Sequence, residues 1–154
     1  MPDQRSTLSG RLRVLIVEDE ALVADYIADV LEEAGHEVAG FAATGEKALE
    51  ALARDRVDLA ILDIKLKGSM TGIDVAHAAR DRAIPYLFIS GSGEPLTRQA
   101  AEATGPLAFL QKPFDQEELV SILRAAAARD VTSARAFAPE GRAEEALKTG
   151  GRIE

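Results

Sequence analysis

The chain has 154 residues, 47% hydrophobic and 5% aromatic, with a formal net charge of -8 and no cysteine. That length supports one domain whose core is packed from Val, Ile, Leu and Ala. The negative balance argues against a general nucleic-acid binder, and the missing thiols exclude disulfides and thiolate metal sites. Residues 1–12 contain no apolar run of signal-peptide length and no segment is long enough to cross a bilayer, so the expectation is a cytoplasmic protein without a membrane partner.

Residues 1–11 read as a flexible polar arm. Residues 12–17 (Leu-Arg-Val-Leu-Ile-Val) are the first strand, ending at Glu18-Asp19-Glu20. From Ala21 the apolar residues Leu22, Val23, Tyr26, Ile27, Val30 and Leu31 repeat with a helical period, and Gly35 stops the helix. A short second strand follows over 37–41. Thr44-Gly45-Glu46 opens a second helix with Ala48, Leu49 and Leu52 on its apolar face. Residues 57–62 form a third strand, an unbroken apolar run typical of a strand buried on both faces. It ends at Asp63.

After the Gly68–Gly72 loop, 73–80 reads as a third helix and 85–89 as a fourth strand, closed by Ser90-Gly91-Ser92-Gly93. An Ala-rich fourth helix spans 96–103, with Arg98 expected in solvent. Residues 107–110 form a fifth strand, and Lys112-Pro113-Phe114-Asp115 leads into a helix from Gln116 to about Ala128, with Asp115 and Glu118 spaced as a capping box. Five strands alternating with five helices predict a parallel α/β sheet. The segment 130–154 is Ala-, Arg- and Gly-rich with one helical candidate, 142–148, and is too short for a core of its own. His36 and His77 read as exposed and lack any partner at metal-ligand spacing.

In open α/β sheets, ligands bind beyond the carboxyl ends of the strands. Here those ends deliver Glu18 and Asp19, Asp63, Ser90 and, one step on, Lys112. Two like charges about 4 Å apart repel by roughly 4 kcal/mol at an effective dielectric near 20, so three acids in one pocket call for a cation. Mg²⁺ is commonly held by carboxylates, waters and a phosphate. Lys112 supplies a point charge for a phosphate oxygen, Ser90 a hydroxyl, and Gly91 room for a tetrahedral group. A carboxylate nucleophile with a metal and two donors is equipment for an aspartyl phosphate.

Val17-Glu18-Asp19-Glu20, Ala60-Ile61-Leu62-Asp63-Ile64, Ser90-Gly91 and Lys112-Pro113-Phe114 together resemble the signature of two-component response-regulator receiver domains. Thr44–Glu50 and Met70–Ala76 resemble the family's connecting segments. The resemblance covers residues 12–129 and implies a flavodoxin-like (βα)5 doubly wound parallel sheet of strand order 2-1-3-4-5, with a C-terminal appendage at 130–154. It implies Asp63 as phosphoacceptor; Glu18, Asp19, Asp63 and the backbone carbonyl of Lys65 around Mg²⁺; and Ser90, Gly91 and Lys112 about the phosphoryl group. Lys112 precedes a bond to Pro113 that is cis in the family. Phe109 matches the switch aromatic, and Lys65 and Ser92 stand where they would tune phosphoryl lifetime. Lys67 replaces the Pro commonly found four residues after the acceptor, and the loop to Gly72 is one residue longer than the commonest form. The segments around Ser90 and Lys112 partly resemble a stand-alone Phe-Ala-Thr-Gly subgroup, departing at Ile89, Ser90 and Ser92.

The expected function is a single-domain regulator, not an enzyme in the ordinary sense, that takes a phosphoryl group on Asp63 from a histidine kinase or histidine phosphotransfer protein. It would signal through contact with a downstream protein or act as a relay or sink. The tail lacks a helix-turn-helix pair and a basic excess; extending the last helix, pairing two protomers as a homodimer and folding over the switch face all remain open for it. The alternatives are a phosphorylation-independent pseudo-receiver module, and an enzyme such as a flavoprotein or an aspartate-nucleophile phosphatase. The complete acid set weighs against the first, and a first strand ending in acids rather than hydroxyls weighs against the second.

Overall fold

The computed structural model describes residues 10–91 and 93–132. Five strands alternate with five helices: β1 (Arg13–Val17), α1 (Ala21–Glu33), β2 (Glu37–Ala42), α2 (Gly45–Arg54), β3 (Leu59–Leu62), α3 (Gly72–Asp81), β4 (Tyr86–Ser90), α4 (Pro95–Ala103), β5 (Phe109–Gln111) and α5 (Gln116–Thr132). The strands pair in parallel in the order β2-β1-β3-β4-β5, the flavodoxin-like arrangement expected from the resemblance. Residues Arg11–Leu123 form one compact unit; the described residues of a second are Gly10 and Arg124–Thr132. Among the described residues no helix is long and apolar enough to cross a membrane. The tail helix expected at 142–148 lies outside the described residues.

The three inner strands are buried on both sides, β3 and β4 without exception, as a parallel sheet covered by helices requires. Alternate residues serve opposite faces. Leu15, Val17, Ala60, Leu62, Tyr86 and Phe88 join one core cluster with Ala48, Ala51 and Leu52 of α2, Val75, Ala76 and Ala79 of α3, and Ala101 of α4. Val14, Ile16, Leu59, Ile61, Leu87 and Ile89, also buried, point the other way. The buried stripe of α1 runs Ala24, Ile27, Ala28, Leu31, the spacing of a single helix face. Each of the large aliphatic side chains contributes roughly 1.5–3 kcal/mol by leaving water.

The helix starts follow local chemistry. The Thr44 hydroxyl accepts from the Lys47 N–H at the start of α2. At α3, Thr71 and Asp74 form a reciprocal capping box, which removes two orphan donors at once. At α5 the Glu118 carboxylate accepts from the Asp115 N–H at 3.1 Å, half of the expected box. That helix runs on to Thr132, past the expected Ala128. Strand β5 is shifted two residues later than its apolar pattern suggests, because its ladder with β4 pairs Phe88 with Phe109 and Ser90 with Gln111.

Two side chains read as solvent-exposed are engaged. His36 is buried: its Nδ1 accepts the Leu12 N–H at 3.1 Å, which requires that nitrogen to be unprotonated. Burial, and then the charge of Arg11, hold its pKa below the ordinary histidine value of 6.5. The Arg98 guanidinium lies 4.4 Å from the centroid of the Phe109 ring and ion-pairs with Glu102 at 2.9 Å. Only Ala101 of α4 is fully buried, so this stack matters to how the helix sits. At its far end, the Tyr86 hydroxyl lies 2.8 Å from both the Thr104 carbonyl and the Thr104 hydroxyl.

Two outcomes follow. The unfolded chain takes up a proton at His36 more readily than the native one, so its stability contribution is complete above about pH 6.5 and falls as pH drops below that value. The slope is bounded by about 1.4 kcal/mol per pH unit. Urea midpoints compared between about pH 7.5 and 5.5 should show the loss, and His36→Asn, which keeps an acceptor for Leu12, should flatten it. For the stack, a double-mutant cycle of Arg98→Ala and Phe109→Ala should return a coupling of about 0.5–1 kcal/mol; zero coupling would reduce Arg98 to a surface ion pair with Glu102.

Candidate functional site

The carboxyl ends of β1 and β3 lie side by side because Val17 pairs with Leu62. The Asp63 N–H then donates to the Val17 carbonyl at 2.9 Å, and the Glu18 N–H to the Ala42 carbonyl of β2. These bonds fix the backbone from which Glu18, Asp19 and Asp63 project. One carboxylate oxygen from each lies within 4.8 Å of the others. Glu18 and Asp63 are buried, and Asp19 is half-buried.

Lys112 reaches this cluster from the end of β5. Its backbone N–H donates to the Ser90 carbonyl at 2.9 Å, which holds the two strand ends together. Its ammonium donates to Asp63 Oδ2 at 3.0 Å and lies 3.0 Å from Glu18 Oε1, a close ion pair whose angles fall short of a hydrogen bond. A third carboxylate, Glu20 Oε1, stands 3.6 Å from the same nitrogen. The Lys112–Pro113 bond is cis.

Electrostatics follow from this crowding. Burial raises the pKa of Glu18; the close contact with the Lys112 ammonium opposes this, and the charge of Asp63 adds to it. Burial alone would lower the pKa of Lys112, but the close contacts and charges of Glu18 and Asp63 outweigh it and the pKa is raised. One ammonium faces more negative charge than it can offset. The donor atoms of the cluster are all carboxylate oxygens, the set a hard divalent cation takes.

Ser90 is buried at the end of β4, beside Lys112 through the backbone bond just described. A Cβ added to Gly91 would meet only the Lys112 stem, at an ordinary 3.8 Å, so the space there does not depend on glycine. Phe109 is not in the acid cluster; it packs against Phe88, with ring centroids 6.0 Å apart, and under Arg98. Lys65 is exposed, and Ser92 lies outside the described residues.

Two contributors have only faint signals in the sequence. A Cβ on Gly72 would fall 1.9 Å from the Asp63 carbonyl oxygen, so no other residue fits without moving backbone; a glycine opening a helix, where it is a poor former, is the only hint. Glu20 extends the Glu18-Asp19 pair by one acid and shares Lys112. Next to them, Leu22, Val23, Tyr26, Lys112, Pro113 and Phe114 line an open groove of about 500 Å³, with Tyr26 and Phe114 in ring contact at 5.6 Å.

Comparison with known proteins gives a consistent result. Residues 14–124 match the family described as the response regulator receiver domain. The chain is 35% identical over 118 residues to the transcriptional regulatory protein PdtaR of Mycobacterium tuberculosis, covering 76% of this chain and 57% of that protein. It is 34% identical over 116 residues to the DNA-binding response regulator MtrA of Mycolicibacterium paratuberculosis, covering 75% and 51%. The chain thus spans about half the length of these curated relatives. Among solved structures, the signal receiver domain of a modulated diguanylate cyclase from Desulfovibrio desulfuricans superposes with a TM-score of 0.73 at 32% identity, over 78% of this chain and 96% of that one. The receiver domain of the Erythrobacter litoralis PhyR response regulator gives 0.68 at 31% identity, over 77% and 91%. With a family match that spans most of its length, this chain belongs to the response-regulator receiver domains, the modules that accept a phosphoryl group in two-component signalling.

Proposed function

We propose that Asp63 is the phosphoacceptor of a single-domain regulator, with the receiver at 12–129 flanked by an arm at 1–11 and a tail at 130–154, acting in the cytoplasm. The observation that carries this is the hydrogen bond of Lys112 to Asp63 inside the Glu18, Asp19 and Asp63 cluster. In the reaction a carboxylate oxygen of Asp63 attacks phosphorus, an O–P bond forms, and the N–P bond of the donor histidine breaks as the imidazole leaves with the electron pair. Lys112, already on Asp63, moves onto a phosphoryl oxygen, and Ser90 supplies a hydroxyl from the neighbouring strand end.

Glu18, Asp19 and Asp63, with the Lys65 carbonyl, would hold Mg²⁺, which when bound offsets the charge that builds on the phosphoryl oxygens. The donor is a protein, a histidine kinase or histidine phosphotransfer protein, for which the apolar groove beside Lys112 offers a seat. Phosphorylation adds about -1.5 to -2 charge, and Ser90 moving toward it would pass the change to Phe109 and the α4 face. A basic output is not favoured: residues 130–154 carry five acids and four bases. Contact with a downstream protein, or service as relay or sink, fits that composition. The complete acid set with its lysine supports this over a phosphorylation-independent module.

Titration with beryllofluoride and Mg²⁺ should saturate backbone amide shifts in the wild type and leave Asp63→Asn unchanged. No response from the wild type would favour the phosphorylation-independent module. Lys65 is placed to meet the attacking water, so Lys65→Ala should change the dephosphorylation half-life at least about twofold; an equal half-life would remove it from that role.

A further inference from the structure

Glu20 holds a position that the phosphoacceptor reading leaves unused. It is the residue before α1, yet its side chain makes no capping bond. Its backbone N–H donates to Glu18 Oε2 at 3.1 Å, which fixes Glu20 against the cluster. Its carboxylate turns to Lys112 Nζ at 3.6 Å while its side chain remains 67% exposed. It therefore stands at the rim, with the acids behind it and Lys112 shared with the apolar groove that begins at Leu22.

The charge balance gives this position its consequence. Glu18, Asp19 and Asp63 would be neutralised by Lys112 together with one divalent cation. Glu20 is then the surplus negative charge, and it lies where a phosphoryl donor must enter. For a small donor, whose approach is governed by charge, that surplus is a barrier. A protein donor gains its affinity from the apolar groove, and it can bring a cation to an exposed carboxylate.

We infer that Glu20 is a specificity-determining residue, a charge gate that disfavours free anionic phosphodonors relative to a phosphohistidine carried on a protein. The gate rests on Asp63 being the acceptor. Its test uses the full chain with Mg²⁺ and two small donors, acetyl phosphate, a dianion near neutral pH, and phosphoramidate, which carries about one negative charge less. Asp63 phosphorylation rates are read by intact mass.

Glu20→Gln should speed acetyl phosphate by roughly 3- to 10-fold at low ionic strength, and phosphoramidate by less. Glu20→Lys should extend the trend, and the difference between donors should collapse near 0.5 M salt, where screening lengths fall to about 4 Å. A merely structural role for Glu20 would change both donors by the same factor at every salt concentration. That result, or unchanged rates, overturns the gate while leaving Asp63 as acceptor. If neither donor modifies Asp63 even in Glu20→Lys, the gate falls; the acceptor reading falls with it only if beryllofluoride with Mg²⁺ also fails to saturate the wild type.

Discussion

One lysine holds the carboxyl edge of this sheet together. Lys112 stands on β5, and its ammonium is bound to Asp63 after β3 and ion-paired to Glu18 after β1. Its own backbone ties β5 to β4 at Ser90. The ends of four strands are thus linked through a single residue, three by its side chain and the fourth by its backbone. Taking two buried carboxylates from water is costly unless a cation shares them, and the opposing influences on Glu18 and Lys112 are the mark of that cost. The charges of the cluster are incompletely matched. That imbalance favours a divalent cation over an inert ion-pair network.

Most of this was legible from residue order, and for a physical reason. Parallel strands buried on both faces leave continuous apolar runs, so the ends of 12–17, 57–62 and 85–89 could be placed within two residues. Chemistry in such sheets collects at those ends, so Glu18, Asp19, Asp63 and Lys112 stand out as a group in the sequence itself. The edge strand was less clear: Leu107 and Ala108 already exchange backbone hydrogen bonds with β4, but the paired strand residues run only from Phe109 to Gln111.

What was not legible depends on partners distant in sequence or on backbone proximity. His36 reads as an exposed residue at a helix end, and its acceptor role comes from Leu12, twenty-four positions away. Arg98 on a helix surface has no local signature for the ring beneath it. Glu20 is one more acid in an acidic run until the lysine next to it is seen. The close approach of Gly72 to the Asp63 carbonyl cannot be inferred from spacing at all.

That last contact gives the two walls of the pocket different characters. On the α3 side the Gly72 N–H also donates to the Ile64 carbonyl at 2.8 Å, and the helix above it is closed by a full capping box. Backbone there abuts backbone, with no side chain between to yield. On the β4–β5 side, α4 is held by the buried Ala101, the Arg98–Phe109 stack and the Tyr86–Thr104 bonds. Side-chain contacts can rearrange by changing rotamer where abutting backbone cannot, so the α3 side of Asp63 is the less yielding of the two.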